Sequence, residues 1–189
     1  MADSWKQIKV KILGDFNYAP NQWVQWITVI DERTSPGCRA LHECIFIFAK
    51  CPDWPEHPNC RCKLNKVGRP DASATSAIEK FSVYLWEDKY TNPASPLYHG
   101  KDTVFLEMGY LQNSSELLRS IYTEQAREKY RSGDYTLGKL NKWGQHIDIV
   151  VDLPTSYGVV SVISGWMVKP NGLIQLNAPF SGYARRIKK

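Results

Sequence analysis

The sequence predicts an α+β protein: a small Cys/His-rich N-terminal module, followed by helices packed on an antiparallel sheet. Three observations predict it. All five cysteines lie between Cys38 and Cys62, in a zone (residues 31–67) that also holds four prolines. A helical apolar face runs from Leu117 to Tyr130. Beyond Tyr135, β-branched and alternating runs follow one another across short turns. Helices first and consecutive strands after place the helices on one sheet face, not between parallel strands.

Taken in order, Lys9-Val10-Lys11-Ile12 alternates like a short strand. Trp23, Trp26, Ile27 and Ile30 follow a spacing that fits one helical face or an aromatic platform. Pro36, Pro52, Pro55 and Pro58 forbid a long helix across residues 31–67, so crosslinks between side chains must hold this segment. Residues 68–77 contain no large apolar side chain and read as a linker, dividing a module at 1–67 from a domain at 78–189. Ile78, Phe81 and Leu85 then recur at helical spacing, and Val104, Leu106 and Met108 do so less cleanly. Asn113 or Ser114 caps a longer helix, whose apolar face is Leu117, Leu118, Ile121, Tyr122, Ala126 and Tyr130, and Gly133 stops it. Ile147, Ile149 and Val151 alternate with Asp148, Val150 and Asp152. Val159 to Val168 is a second strand, and Pro170-Asn171-Gly172 turns into a third through Leu173, Ile174 and Leu176.

At 189 residues, 43% hydrophobic and 23% charged, the chain has the composition of a globular protein and not of a disordered one. No apolar run approaches the ~18 residues of a membrane span, and Met1-Ala2-Asp3-Ser4-Trp5 lacks the pattern of a signal peptide. The net charge of +5 is too small to identify a nucleic-acid binder. Arg185, Arg186, Lys188 and Lys189 form either a solubilising tail or a phosphate-contacting edge.

An odd number of clustered cysteines favours a metal site or reduced thiols over a disulfide framework. Cys38, His42, Cys44, Cys51, His57, Cys60 and Cys62 are the candidate ligands. The preferred set is Cys38 and His42 from one face of a short helix, with Cys60 and Cys62 from an extended segment, around a structural zinc. The alternative is a reduced cysteine cluster without metal.

Asp31-Glu32-Arg33, Cys38-Arg39-Ala40-Leu41-His42 and His57-Pro58-Asn59-Cys60-Arg61-Cys62 closely resemble the C-terminal tract of phage head morphogenesis proteins of the Mu F type, which are minor capsid proteins. The resemblance covers residues 23–64; Cys44 and Cys51 are additions to it. It implies a phage origin, phage head or portal partners, and a place in the virion or the bacterial cytoplasm. Residues 78–189 resemble a toxin-associated family of the barnase, EndoU, colicin and RelE ribonuclease fold. The matching pieces are Lys80-Phe81, Tyr84-Leu85, Gly100-Lys101, Phe105, Gly109-Tyr110, Trp143-Gly144, Ser164-Gly165-Trp166 and Leu176 through Gly182. Relatives carry Thr where this chain has Ala178, and Ser181 is the candidate replacement. This second resemblance implies a polymorphic-toxin effector that cleaves RNA, tRNA included, and is held in check by an immunity protein.

Such cleavage needs no metal. The RNA 2′-hydroxyl is the nucleophile, so the protein supplies a base, an acid and a cation at phosphorus. His99 and His146 suit the proton roles and Lys101 the cationic one. Ser164, Ser181 and Tyr183 are further catalytic candidates on the later strands, although Ser164 beside Gly165 also fits a simple bulge. Arg185 and Arg186 would fork onto phosphate, and Trp166 would stack on a base unless it is core. A two-metal nuclease acting on DNA would need clustered carboxylates, which the sequence lacks. The other reading is a structural capsid protein whose C-terminal domain binds rather than catalyses.

Overall fold

Trp23–Ile27 forms β1, the centre of a three-stranded antiparallel sheet, with β2 (Ile45–Ile47) on one side and β3 (Lys63–Val67) on the other. This computed structural model describes residues 18–185, so the strand expected at Lys9–Ile12 and the role expected of Arg186 lie outside the described residues. The tryptophan spacing belongs to a strand rather than a helix. Aromatic and β-branched side chains suit a pleated surface, and the period of two sends Trp23 and Trp26 to opposite faces. Trp23 meets the ring of Tyr130 edge-on at 5.7 Å, while Trp26 is fully buried.

Between β1 and β2 lies α1 (Pro36–Leu41). Ser35 caps it by accepting the Cys38 N–H at 3.1 Å, and Pro36 occupies the first turn, where no backbone donor is needed.

The stretch read as a linker contributes β4 (Ser73–Thr75), which pairs in parallel with Leu173–Gln175. Arg119 Nε donates to Ser76 O at 3.0 Å, and the Ser76 and Thr123 hydroxyls are 2.6 Å apart. Small polar residues conceal such a strand, because its stability lies in backbone pairing rather than apolar burial.

Three short helices, α2 (Glu79–Ser82), α3 (Asp88–Thr91) and α4 (Lys101–Glu107), precede a fourth, α5 (Ser115–Ser132). α5 is the long one, and it stops at Gly133, which takes φ 77° as a left-handed cap. Its buried stripe is Leu118, Tyr122, Ala126 and Tyr130, narrower than expected, since Leu117 is 56% exposed. Among the described residues no helix is long and apolar enough to cross a membrane.

The chain then meanders through β5 (Thr136–Asn141), β6 (Gly144–Thr155), β7 (Gly158–Val168) and β8 (Leu173–Arg185), giving a sheet ordered β4-β8-β7-β6-β5. Ile147, Ile149, Val151 and Leu153 point inward beside their cross-strand partners Trp166, Ser164, Val162 and Val160. His146, Asp148, Val150 and Asp152 occupy the opposite face.

The two sheets share one buried cluster running from Trp23 to Leu176. Tyr130 Oη donates to Ile45 O, Asn171 N donates to Glu43 O at 2.9 Å, and Cys44 bridges Pro170. Asn171 and Gly172 both take positive φ in the tight turn that presents these groups.

Tyr122, fully buried, donates its hydroxyl to Pro179 O at 2.7 Å and holds a bulge in β8. Tyr122→Phe leaves that carbonyl unpaired and is expected to lower stability by about 1–3 kcal/mol. Denaturant unfolding of both proteins measures it; an unchanged midpoint would show the bond to be replaceable.

Candidate metal centre and candidate active site

The Cys38, Cys60 and Cys62 sulfurs lie within 4.8 Å of one another and could hold a metal ion; Cys38, Glu56 and His57 form a second, overlapping group. α1 supplies Cys38. A turn closed by Cys60 N donating to His57 O at 3.2 Å, with Asn59 at positive φ, brings His57 and Cys60 to the same side. Cys38 Sγ is 3.7 Å from Cys60 Sγ and 3.4 Å from His57 Nε2. Bonds of ordinary zinc–sulfur and zinc–nitrogen length would give tetrahedral edges of about 3.8 and 3.5 Å.

The donor chemistry fits a cation. His57 Nδ1 lies 2.8 Å from Pro58 O; as the N–H partner of that carbonyl it leaves the Nε2 lone pair toward Cys38. The Glu56 carboxylate stands 3.5 Å from the same nitrogen and 3.6 Å from Cys38 Sγ, so lone pairs outnumber protons here. A hydrogen bond from Cys62, reinforced by backbone groups, holds the Cys60 thiol down to about 5 against burial. Cys62 is pushed up, first by Cys60 and then by burial, and burial pushes Cys38 up to about 11. Two neighbours act the other way and lower the Cys62 thiol: the Thr28 hydroxyl, 3.3 Å from Sγ and donating to Cys38 O at 2.9 Å, and the buried Trp26 indole N–H. Around the cluster, Arg61 forks onto Asp31 at 2.6 and 2.8 Å and holds that carboxyl well below its usual range.

His42 is not part of this group. The backbone leaves the helix at His42 (ψ 130°), and its Nδ1 accepts the Thr28 N–H at 3.1 Å. The four-residue spacing from Cys38 would align the two side chains only if the helix continued one more turn. Cys44 and Cys51 also stand apart: Cys44 is buried with its sulfur 3.8 Å from Val168 O, and burial raises both thiols.

In the second half, the candidates separate into core, groove and sheet face. Trp166 is fully buried and donates Nε1 to Ser164 Oγ at 2.8 Å, and Ser164 Oγ donates to Ile149 O at 2.8 Å. Both expectations are corrected: the pair satisfies its own polar atoms inside the core and reaches no substrate. Tyr183 is half-buried, edge-on to Phe180 at 5.1 Å, and Arg185 is exposed opposite Ser161.

His99, Gly100, Lys101, Val104, Phe180 and Ser181 line one open groove of about 340 Å³. His99 stacks on Tyr90 at 5.3 Å, bonds Tyr84 O through Nε2 at 3.0 Å and accepts Lys101 N–H on Nδ1 at 3.2 Å. Burial first, and Lys101 second, lower its pKa. With both nitrogens on backbone groups, the ring fixes the start of α4. Lys101 Nζ reaches Tyr84 Oη at 2.8 Å and lies 5.0 Å from the centre of that ring.

His146 is half-buried on the sheet face, its Nε2 3.0 Å from Asn141 Nδ2 and its Nδ1 3.2 Å from Asn177 Nδ2. Asn141 Oδ1 accepts the Trp143 N–H at 2.8 Å, which fixes that amide with its NH₂ toward His146. Nε2 is therefore a nitrogen that accepts from the Asn141 amide, and the Asn177 amide stands at Nδ1. Gly165 leaves the floor beside Asp148 open. A Cβ there would meet Ser181 Oγ at 3.7 Å and Asp148 Oδ1 at 4.0 Å. Ser181 thus belongs both to this face and to the His99–Lys101 groove. The sequence reading missed Asn141, Asp148 and Asn177; the only signal for the two asparagines was their place at a hairpin and before a proline-containing bulge.

Compared with protein-family models, curated proteins and solved structures, the chain gives no match.

Proposed function

We propose that this protein cleaves RNA by metal-independent transesterification on the sheet face around His146, with a zinc-stapled module buttressing that sheet. The observation carrying the reading is the His146 imidazole, held between the Asn141 and Asn177 amides over a floor left open by Gly165. The RNA 2′-hydroxyl takes the place of Asn141 at Nε2 and gives up its proton as its oxygen attacks phosphorus. The bond to the 5′-oxygen breaks, that oxygen takes a proton from water, the hydroxide so formed takes the proton held by His146, and a 2′,3′-cyclic phosphate remains. Lys101, in the groove that Ser181 joins to this face, is the cation assigned to the phosphate. Phage-derived toxins held by an immunity partner are the class this chemistry fits.

The test is incubation of the purified protein with total RNA and with tRNA, scoring cyclic phosphate ends. Absence of cleavage by the wild type, or undiminished cleavage by His146→Ala, overturns the reading. His99→Ala should act mainly through stability, since both nitrogens of that ring are held by backbone groups.

Zinc is assigned to the Cys38, Cys60 and Cys62 sulfurs, with His57 brought in as the fourth ligand from the overlapping group through the shared Cys38. His57→Ala is expected to lower bound zinc well below one equivalent, while His42→Ala keeps it. Elemental analysis of both proteins decides, and equal zinc in the two would remove His57 from the ligand set.

A further inference from the structure

We infer that Trp143, at the tip of the β5–β6 hairpin, is a stacking platform for an unpaired base of single-stranded RNA bound next to His146. The inference rests on the proposed function for its substrate class and on separate observations for its geometry.

Trp143 is 66% exposed, whereas Trp23, Trp26, Trp54 and Trp166 are each 7% exposed or less. Leaving an indole in water forfeits the burial that places tryptophan inside proteins. This indole is also held by its backbone on both sides: its N–H goes to Asn141 Oδ1 at 2.8 Å, and its carbonyl accepts Lys169 Nζ at 3.1 Å. The following residue, Gly144, has φ 141°, and a Cβ there would fall 2.7 Å from Met167 Sδ and 2.9 Å from Val168 O. The hairpin tip is thus pressed onto β7 and cannot swing freely, so little order is lost when a flat ligand lands on the ring.

The surroundings select the ligand. Lys142 Nζ lies 4.8 Å from the centre of the Trp143 ring, and Lys139 and Lys169 flank the same hairpin. A rigid aromatic face amid lysines matches the base-and-phosphate alternation of a single strand, in which each base offers a free π-face and each link a negative charge. A duplex hides those faces, and an apolar protein surface would strand the ammonium groups. Asn141 ties the platform to the chemistry, since the same amide that accepts the Trp143 N–H donates to His146 Nε2. A base on Trp143 therefore lies one residue-contact away from the attacking nucleotide.

The experiment uses the full chain and 2′-O-methyl oligoadenosine and oligouridine decamers, which lack the attacking hydroxyl and cannot be cleaved. Wild type is expected to bind them with quenching of tryptophan emission. Trp143→Ala should bind about 10-fold more weakly with the quench lost, and Trp143→Phe should keep most of the affinity. All three should melt together, because the ring is exposed. Equal affinity of Trp143→Ala and wild type overturns the inference, whatever the cleavage assay shows; so does binding of a protein partner through Trp143 with no oligonucleotide binding. Loss of decamer binding in Trp143→Ala alongside a wild type that cuts no RNA upholds the platform and sinks only the ribonuclease reading.

Discussion

His146→Ala is expected to slow RNA cleavage by about 10²–10⁴-fold while leaving the fold intact. The range is that of a positioned general base, because the substitution removes the imidazole nitrogen to which the proton transfer is assigned. His146 contacts Asn141 and Asn177 and no buried carbonyl that would be orphaned, so the cost to folding is small. His146→Gln keeps an amide-compatible shape without a proton acceptor of suitable basicity, and it should fail to restore the rate. Asn141→Asp supplies the complementary check. A carboxylate cannot donate to Nε2, so the ring loses the amide that orients it and the rate should fall without loss of the fold. Initial rates across pH for the three proteins, with melting curves beside them, make the measurement. A His146→Ala enzyme within a factor of a few of wild type would move the chemistry away from this face.

Removing the zinc proposed for the cysteine cluster is the second large effect expected. Structural zinc contributes on the order of 10 kcal/mol in isolated zinc-finger peptides. Here the module also shares a hydrophobic cluster with the second sheet, so loss of the ion is expected to cost about half as much and lower the melting temperature by about 10–20 °C. Cys62→Ala should do the same, because it deletes a candidate ligand and leaves a cavity at a buried position. The loss should spread to the active face. Gly37, beside Cys38, packs so closely that a Cβ on it would be 3.2 Å from Leu140 Cδ2, and Leu140 pairs with Gln145 next to His146. Melting with and without a chelator, followed by cleavage assays on the stripped protein, reads both consequences. A melting curve indifferent to chelation, in a protein that carries no metal as purified, would leave the cysteines as a reduced cluster.

Much of the molecule was legible before folding because burial has a period. Leu118, Tyr122, Ala126 and Tyr130 announce α5, and Ile147, Ile149 and Val151 announce β6, since each pattern records which side of one element meets the core. Other features carry no such record. Ser73–Thr75 is a strand only because β8 offers it a backbone edge. Trp166 and Ser164 sit in the core only because Ile149 O lies opposite them.

The sequence by itself determined the α+β class, the long helix with its glycine stop, the hairpin order and the region where sulfur and imidazole would gather. It took the tertiary structure to set His57 rather than His42 against Cys38, and to leave His146 rather than His99 with a nitrogen free of backbone contacts. The physical reason is range. Periodicity and capping are settled among neighbours within a turn or two, whereas a ligand set or a catalytic ring depends on where distant segments halt, which hydrogen bonds such as Thr28 N–H to His42 and Lys101 N–H to His99 fix only after collapse.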